Sequence, residues 1–184
     1  PMWWDGKWVM VDRADRMVFV SPEGKPVRKQ PLPSSVLAAA ADGRQLWLCL
    51  APDRAVVWTP AGPGKPLALH TGACMVHARN NMALFAGPAG ELTCLGTSGV
   101  GIVALWRRRA PELVTCLSGP LATGEGDVWA VGTVGGQVRL YDALTGDSRG
   151  VYRLRSGPVV ALWPHGRDLA AAAREGAWVC QLPR

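Results

Sequence analysis

Residues 132–150 read GTVGGQVRLYDALTGDSRG. A small-residue turn, Gly132 to Gly136, leads into alternating Val138 and Leu140, then Tyr141-Asp142, then a second turn at Thr145-Gly146. Alternation with a period of two marks a β-strand, and Asp142, Thr145 and Gly146 suit a tight turn that follows one. This is one unit of a β-meander, and the rest of the chain repeats it.

Turns that precede an apolar strand start at Asp5, Asp42, Arg79, Glu125 and His165, separated by 37, 37, 46 and 40 residues. Each unit reads as polar turn, strand, short turn, strand and Pro/Gly loop. Four are preceded by a further apolar run: SSVLAAAA, GACMVHA, ELVTCL and GPVVALW. A period near 40 with about four short strands per unit is the signature of a β-propeller. Alanine-rich SSVLAAAADG and DLAAAAREG score as helix on propensity alone. They are short, turn-bounded and sit beside β-branched strands, so the repeat outweighs propensity.

Strands are expected at 7–13, 17–21 and 26–30; 35–40, 46–50, 55–59 and 66–70; 73–78, 82–86, 91–95 and 101–106; 112–117, 128–133, 137–142 and 151–155; and 158–163, 168–173 and 177–182. The reading is an all-β fold, a single propeller segment over 1–184 with approximate units 5–34, 35–71, 72–109, 110–156 and 157–184. It amounts to about four and a half blades. The first unit lacks an inner strand unless PMWW supplies a stub, and the last lacks an outer one. An open sheet edge recruits other strands, so the expectation is a segment of, or one completing, a larger ring with another protein or a second copy.

The residues from Glu125 onward resemble the WD40-repeat family. AVGTVGGQVRLYDALTG looks like the closing half of such a repeat, with Tyr141-Asp142 at the W-D position. In WPHGRDLAAA, Gly166 stands at the turn glycine and Leu169 in the second strand, with Trp178-Val179 in the third. No Gly-His dipeptide opens a unit, and Gly135 stands where the family often carries a turn aspartate, which makes the chain a divergent WD40-like propeller. YDALTGDSRG also resembles the D-A-x-T-G of quinoprotein-type propeller repeats, but it occurs once and Gly150 replaces the family's Trp. The WD40 resemblance implies a non-catalytic protein-interaction or scaffold module. The alternatives are an enzyme on a quinoprotein-like or hydrolytic propeller, and binding of nucleic acid or an acidic partner through arginine-rich loops.

Composition narrows the classes. Nearly half the residues are apolar and 18% are charged, which is globular. No apolar run reaches the roughly 18 residues of a membrane span, and PMWWDGKWVM lacks the basic start and apolar core of a secretory signal. Cys49, Cys74, Cys94, Cys116 and Cys180 are an odd number without a C-x-x-C pair, read as reduced thiols of a cytoplasmic or nuclear protein. The net charge of +6 rests on 16 Arg against 4 Lys. The arginines are scattered, apart from Arg107-Arg108-Arg109, so nucleic acid is the weaker partner class.

Chemistry is sparse. His70, His77 and His165 have no Asp, Glu or Cys at ligand spacing, so no metal is assigned. Ser34, Ser35, Ser98 and Ser118 lack a G-x-S-x-G context, and the glycines of GEGDVWAVGTVGG fit neither nucleotide-binding pattern. No catalytic residue and no cofactor are expected. Partner binding is assigned to Trp3, Trp4 and Trp8, which either pack under a neighbouring blade or form an exposed aromatic patch, and to Arg107, Arg108 and Arg109 in a longer loop between blades facing an acidic surface. Trp47, Trp58, Trp106, Trp129, Trp163 and Trp178 are read as packing between blades.

Overall fold

The computed structural model describes residues 1–12, 14–43, 45–70, 72–98, 101–154, 157–165 and 167–182. Gly166, singled out in the sequence, lies outside them, as do residues 13 and 155, the last of two expected strands. The described residues form strands and turns only, in five antiparallel meanders. Blade 1 holds β1 (Met2–Trp4), β2 (Lys7–Val11), β3 (Arg16–Val20) and β4 (Pro26–Pro31). Blade 2 holds β5 (Val36–Asp42), β6 (Gln45–Leu50) and β7 (Arg54–Thr59), with an outer edge split into β8 (Gly62–Pro63) and β9 (Leu67–Ala68). Blade 3 holds β10 (Met75–Arg79), β11 (Met82–Ala86), β12 (Glu91–Ser98) and β13 (Gly101–Arg109). Blade 4 holds β14 (Val114–Thr123), β15 (Gly126–Thr133), β16 (Gln137–Asp142) and β17 (Ser148–Arg153). Blade 5 holds β18 (Val159–His165), β19 (Asp168–Ala173) and β20 (Gly176–Cys180).

Two expectations change. PMWW supplies a full inner strand, because Met2, Trp3 and Trp4 pair with Val9, Trp8 and Lys7, so blade 1 is complete. The longer spacing between the third and fourth units does not go into a loop. It goes into a nine-residue β13 and a ten-residue β14 joined by the short Ala110–Leu113 connection, with bulges that absorb the extra residues.

Strand alternation produces one core between each pair of successive blades. Trp129 and Val131 of β15 pack with Tyr141 toward blade 3, against Leu84, Cys94 and Trp106. Their neighbours Val128 and Ala130 pack with Val138 and Leu140 toward blade 5, against Leu169 and Ala171. Both faces of a middle strand are buried, so these strands read as continuous apolar runs. Trp47 and Phe85 anchor the core between blades 2 and 3, and Trp4, Phe19 and Trp58 that between blades 1 and 2.

A repeated hydrogen bond closes each of the first four blades. The backbone N–H of Leu32, Leu69, Ala110 and Leu154, just past each outer strand, donates to the carbonyl of Asp15, Asp53, Gly90 and Gly136 respectively, in the turn between second and third strands. In blade 4 the turn has a second support. Glu112 accepts from Thr133 Oγ1, from the Gly135 N–H at 3.1 Å and from Gln137 Nε2 at 2.7 Å. A Cβ at Gly135 would run into that carboxylate, so glycine here leaves room for the Glu112 side chain.

Candidate interaction surfaces

The blade 1 tryptophans divide by strand parity. Trp4 lies in the blade 1–blade 2 core at 4% exposure, its ring 5.9 Å from Phe19. Trp3 and Trp8 are register partners on the other face, at 49% and 41% exposure, in edge-to-face contact with centroids 5.1 Å apart. Met10, also exposed, extends this face along β2, and the buried Val18 and Val20 of β3 lie opposite Met10 and Trp8. Counting 38 residues on from Trp8, Met10, Val18 and Val20 gives Leu46, Leu48, Val56 and Trp58. Those four are buried under blade 1. The outer face of blade 1 thus has the composition of an inter-blade interface, with its aromatic part in solvent.

Blade 5 presents the matching face at the other end. Leu169, Ala171 and Cys180 turn toward blade 4. Ala170 and Val179, paired across β19 and β20, turn away, beside Trp163 of β18. In blade 4 the corresponding places, 40 residues before Ala170 and 39 before Val179, are held by the paired Ala130 and Leu140. Leu140 is fully buried, whereas Val179 is 56% exposed. Trp163, expected to pack between blades, is also exposed. Sequence reasoning missed Met10, Trp163 and Val179, although the missing outer strand of the last unit pointed to this end.

The arginine run ends strand β13 and lies in no loop. All three side chains are exposed, but they differ. Arg108 reaches the DALTGD turn of blade 4, donating to the carbonyls of Gly146 (3.2 Å) and Thr145 (3.1 Å) and to Asp147 Oδ1 (3.2 Å). Arg109 lies 3.9 Å from Glu91. Arg107 has no ion-pair partner among the described residues. The turn that Arg108 grips is held from within by Asp142, which accepts from the Leu144 and Thr145 N–H groups at 2.9 Å and from Arg149 at 2.7 Å. The Arg149 guanidinium holds the Asp142 carboxyl down at about 2.

Among the described residues no group of three His, Cys, Asp or Glu side chains could hold a metal. His77 packs edge-on to Trp129, and burial pushes its pKa below the ordinary imidazole value. The five thiols are free, and burial raises those of Cys49 and Cys94 to about 12, leaving them protonated.

No protein-family model and no curated sequence matches the chain. Solved structures do. BBS1N, crystallised in complex with ARL6DN, superposes with a TM-score of 0.78 at 17% identity, over 97% of this chain and 57% of that one. The β-propeller domain of Cps50 (Swd1) from Myceliophteria thermophila gives 0.63 at 16% identity, over 94% of this chain and 64% of that one. The fold is that of a β-propeller. Raptor from Chaetomium thermophilum matches the whole chain at a TM-score of 0.77 and 16% identity, over 19% of its own length. The chain spans 57% of the BBS1N chain.

Proposed function

We propose that the protein is a non-catalytic interaction module that docks another protein chain on the outer face of blade 1. One observation carries this reading: Trp3, Trp8 and Met10 stand in solvent at positions whose counterparts in blade 2 are buried. Burying such side chains is worth about 1.5–3 kcal/mol each, enough to anchor a complex. The partner is another protein chain, held by the aromatic and apolar side chains of this face. The exposed Arg107 and Arg109 on the blade 3 edge favour an acidic surface on that partner. BBS1N, itself in complex with another protein, supports the class of activity without specifying the partner.

A photo-crosslinking residue placed at Trp8 tests this, with Val27, exposed on β4 of the same blade, as control. In a cell extract, position 8 should give a discrete protein adduct that position 27 does not, and Trp3→Ser should weaken it without changing the melting temperature. Equal adduct yield at both positions contradicts the reading.

A further inference from the structure

The outer strands of blades 1 to 4 are each guarded against pairing with other chains. Natural sheet edges use charge, proline, bulges and shortness for this. β4 has Pro26, Arg28, Lys29 and Pro31. The blade 2 edge is two two-residue strands interrupted by Gly64, Lys65 and Pro66. β13 carries Arg107 to Arg109 and β17 carries Arg149 and Arg153. β4, β13 and β17 also join their neighbours through register shifts. β20, the last strand of the three-stranded blade 5, reads GAWVC: no charge, no proline, and an unbroken five-residue register against β19.

We propose that β20 is a pairing strand for a second copy of the chain. Two β20 strands meet antiparallel about a two-fold axis and join two three-stranded blades into one six-stranded sheet. Charge selects the copy as the occupant. At β4, β13 or β17 a two-fold contact would bring arginines and lysines against their own copies, whereas β20 meets itself without a like-charge contact. The strand also complements itself. An antiparallel pair centred on Trp178 sets Ala177 opposite Val179 and Gly176 opposite Cys180, small against larger in each case. A two-fold contact is closed and needs no ring completion, so this inference rests on blade 5 alone and stands apart from docking on blade 1. The net charge of +6 opposes association of the two copies, so salt should strengthen the dimer by screening.

The test is light scattering of the purified chain between about 1 and 100 μM, with amide exchange of residues 176–180 followed across the same range. The expected result is a monomer–dimer equilibrium, tightened by salt, in which those amides gain protection with concentration. Val179→Lys, a guard placed on a side chain already in solvent, should give a monomer with unchanged melting temperature. Trp163→Lys, two strands from the edge, should still dimerise. A monomer at all concentrations overturns the proposal. If the 176–180 amides of such a monomer are protected, the chain's own residues cover the edge. A dimer that is lost with Trp163→Lys places the contact on the blade 5 face, one that survives Val179→Lys places it away from β20 altogether, and either result overturns the proposal.

Discussion

Gly146 is where the blade 4 turn meets the blade 3 core, and replacing it with alanine should be among the costliest single-methyl changes in the chain. Its φ is +71°, a left-handed conformation that costs a non-glycine residue about 1 kcal/mol. A Cβ there would lie 2.5 to 2.9 Å from three ring atoms of Trp106. That indole is buried, is stacked 6.3 Å from Tyr141, and donates from Nε1 to the Ala143 carbonyl at 2.9 Å. Either the ring moves and strains its packing, at about 1–3 kcal/mol, or it also loses a buried hydrogen bond worth about 1–3 kcal/mol. The sum for Gly146→Ala is about 2–4 kcal/mol with the hydrogen bond kept and about 3–7 kcal/mol without it; the first case is roughly 4–16 °C in melting temperature for a chain of this length. Urea denaturation of four proteins checks it: wild type, Gly146→Ala, Trp106→Ala and the double variant. With the ring removed, Gly146→Ala should cost only the backbone term, about 1 kcal/mol. If the single change costs 1 kcal/mol or less in the wild-type background, Trp106 does not pack on this glycine, and the account of the blade 3–blade 4 joint is wrong.

Two further outcomes follow from protonation. Asp142 is depressed to about 2 when folded and sits near 3.8 when unfolded, so its stabilisation is present above pH 4 and is lost as pH falls toward 2. Arg149 is about a third exposed, which screens the pair and leaves about 1–2 kcal/mol. Asp142→Asn should remove that much at pH 7 and flatten the acid limb of the stability curve. His77 shifts the same way for the opposite charge. Burial, reinforced by Arg79, holds it neutral in the fold, so below about pH 6.5 the unfolded chain takes up a proton that the folded chain refuses. Stability should decline there by up to about 1.4 kcal/mol per pH unit, and His77→Phe should abolish that slope in chemical denaturation run from pH 7 to 5.

The blade count and most strands were legible because both faces of a middle strand are buried, which leaves an unmistakable run of apolar residues such as LWLCL or DVWAV. Short edge pieces were not. β1 rests on three residues, and β8 and β9 on two each, and pieces that short carry no periodicity to read. The site divided the same way. Three tryptophans near one another signalled a surface, but only the register of β1 on β2 shows that Trp4 points inward while Trp3 and Trp8 point out. Arg107 to Arg109 followed an apolar strand and read as a loop. Charge on an edge strand costs little, so the strand runs on through them. Trp163 looked like packing because its neighbours in β18 and β19 are apolar, and sequence does not say whether a sixth blade covers them.

Oxidative footprinting of the nine tryptophans by mass spectrometry bears most directly on the claim that the chain binds protein through uncovered blade faces. In the free monomer, Trp3, Trp8 and Trp163 should oxidise fastest, while Trp4, Trp47, Trp58, Trp106 and Trp129 stay protected in the cores. On complex formation, Trp3 and Trp8 should join the protected set. If Trp3 and Trp8 are as protected as Trp47 in the free monomer, or stay equally reactive in the complex, the blade 1 face is not the docking surface.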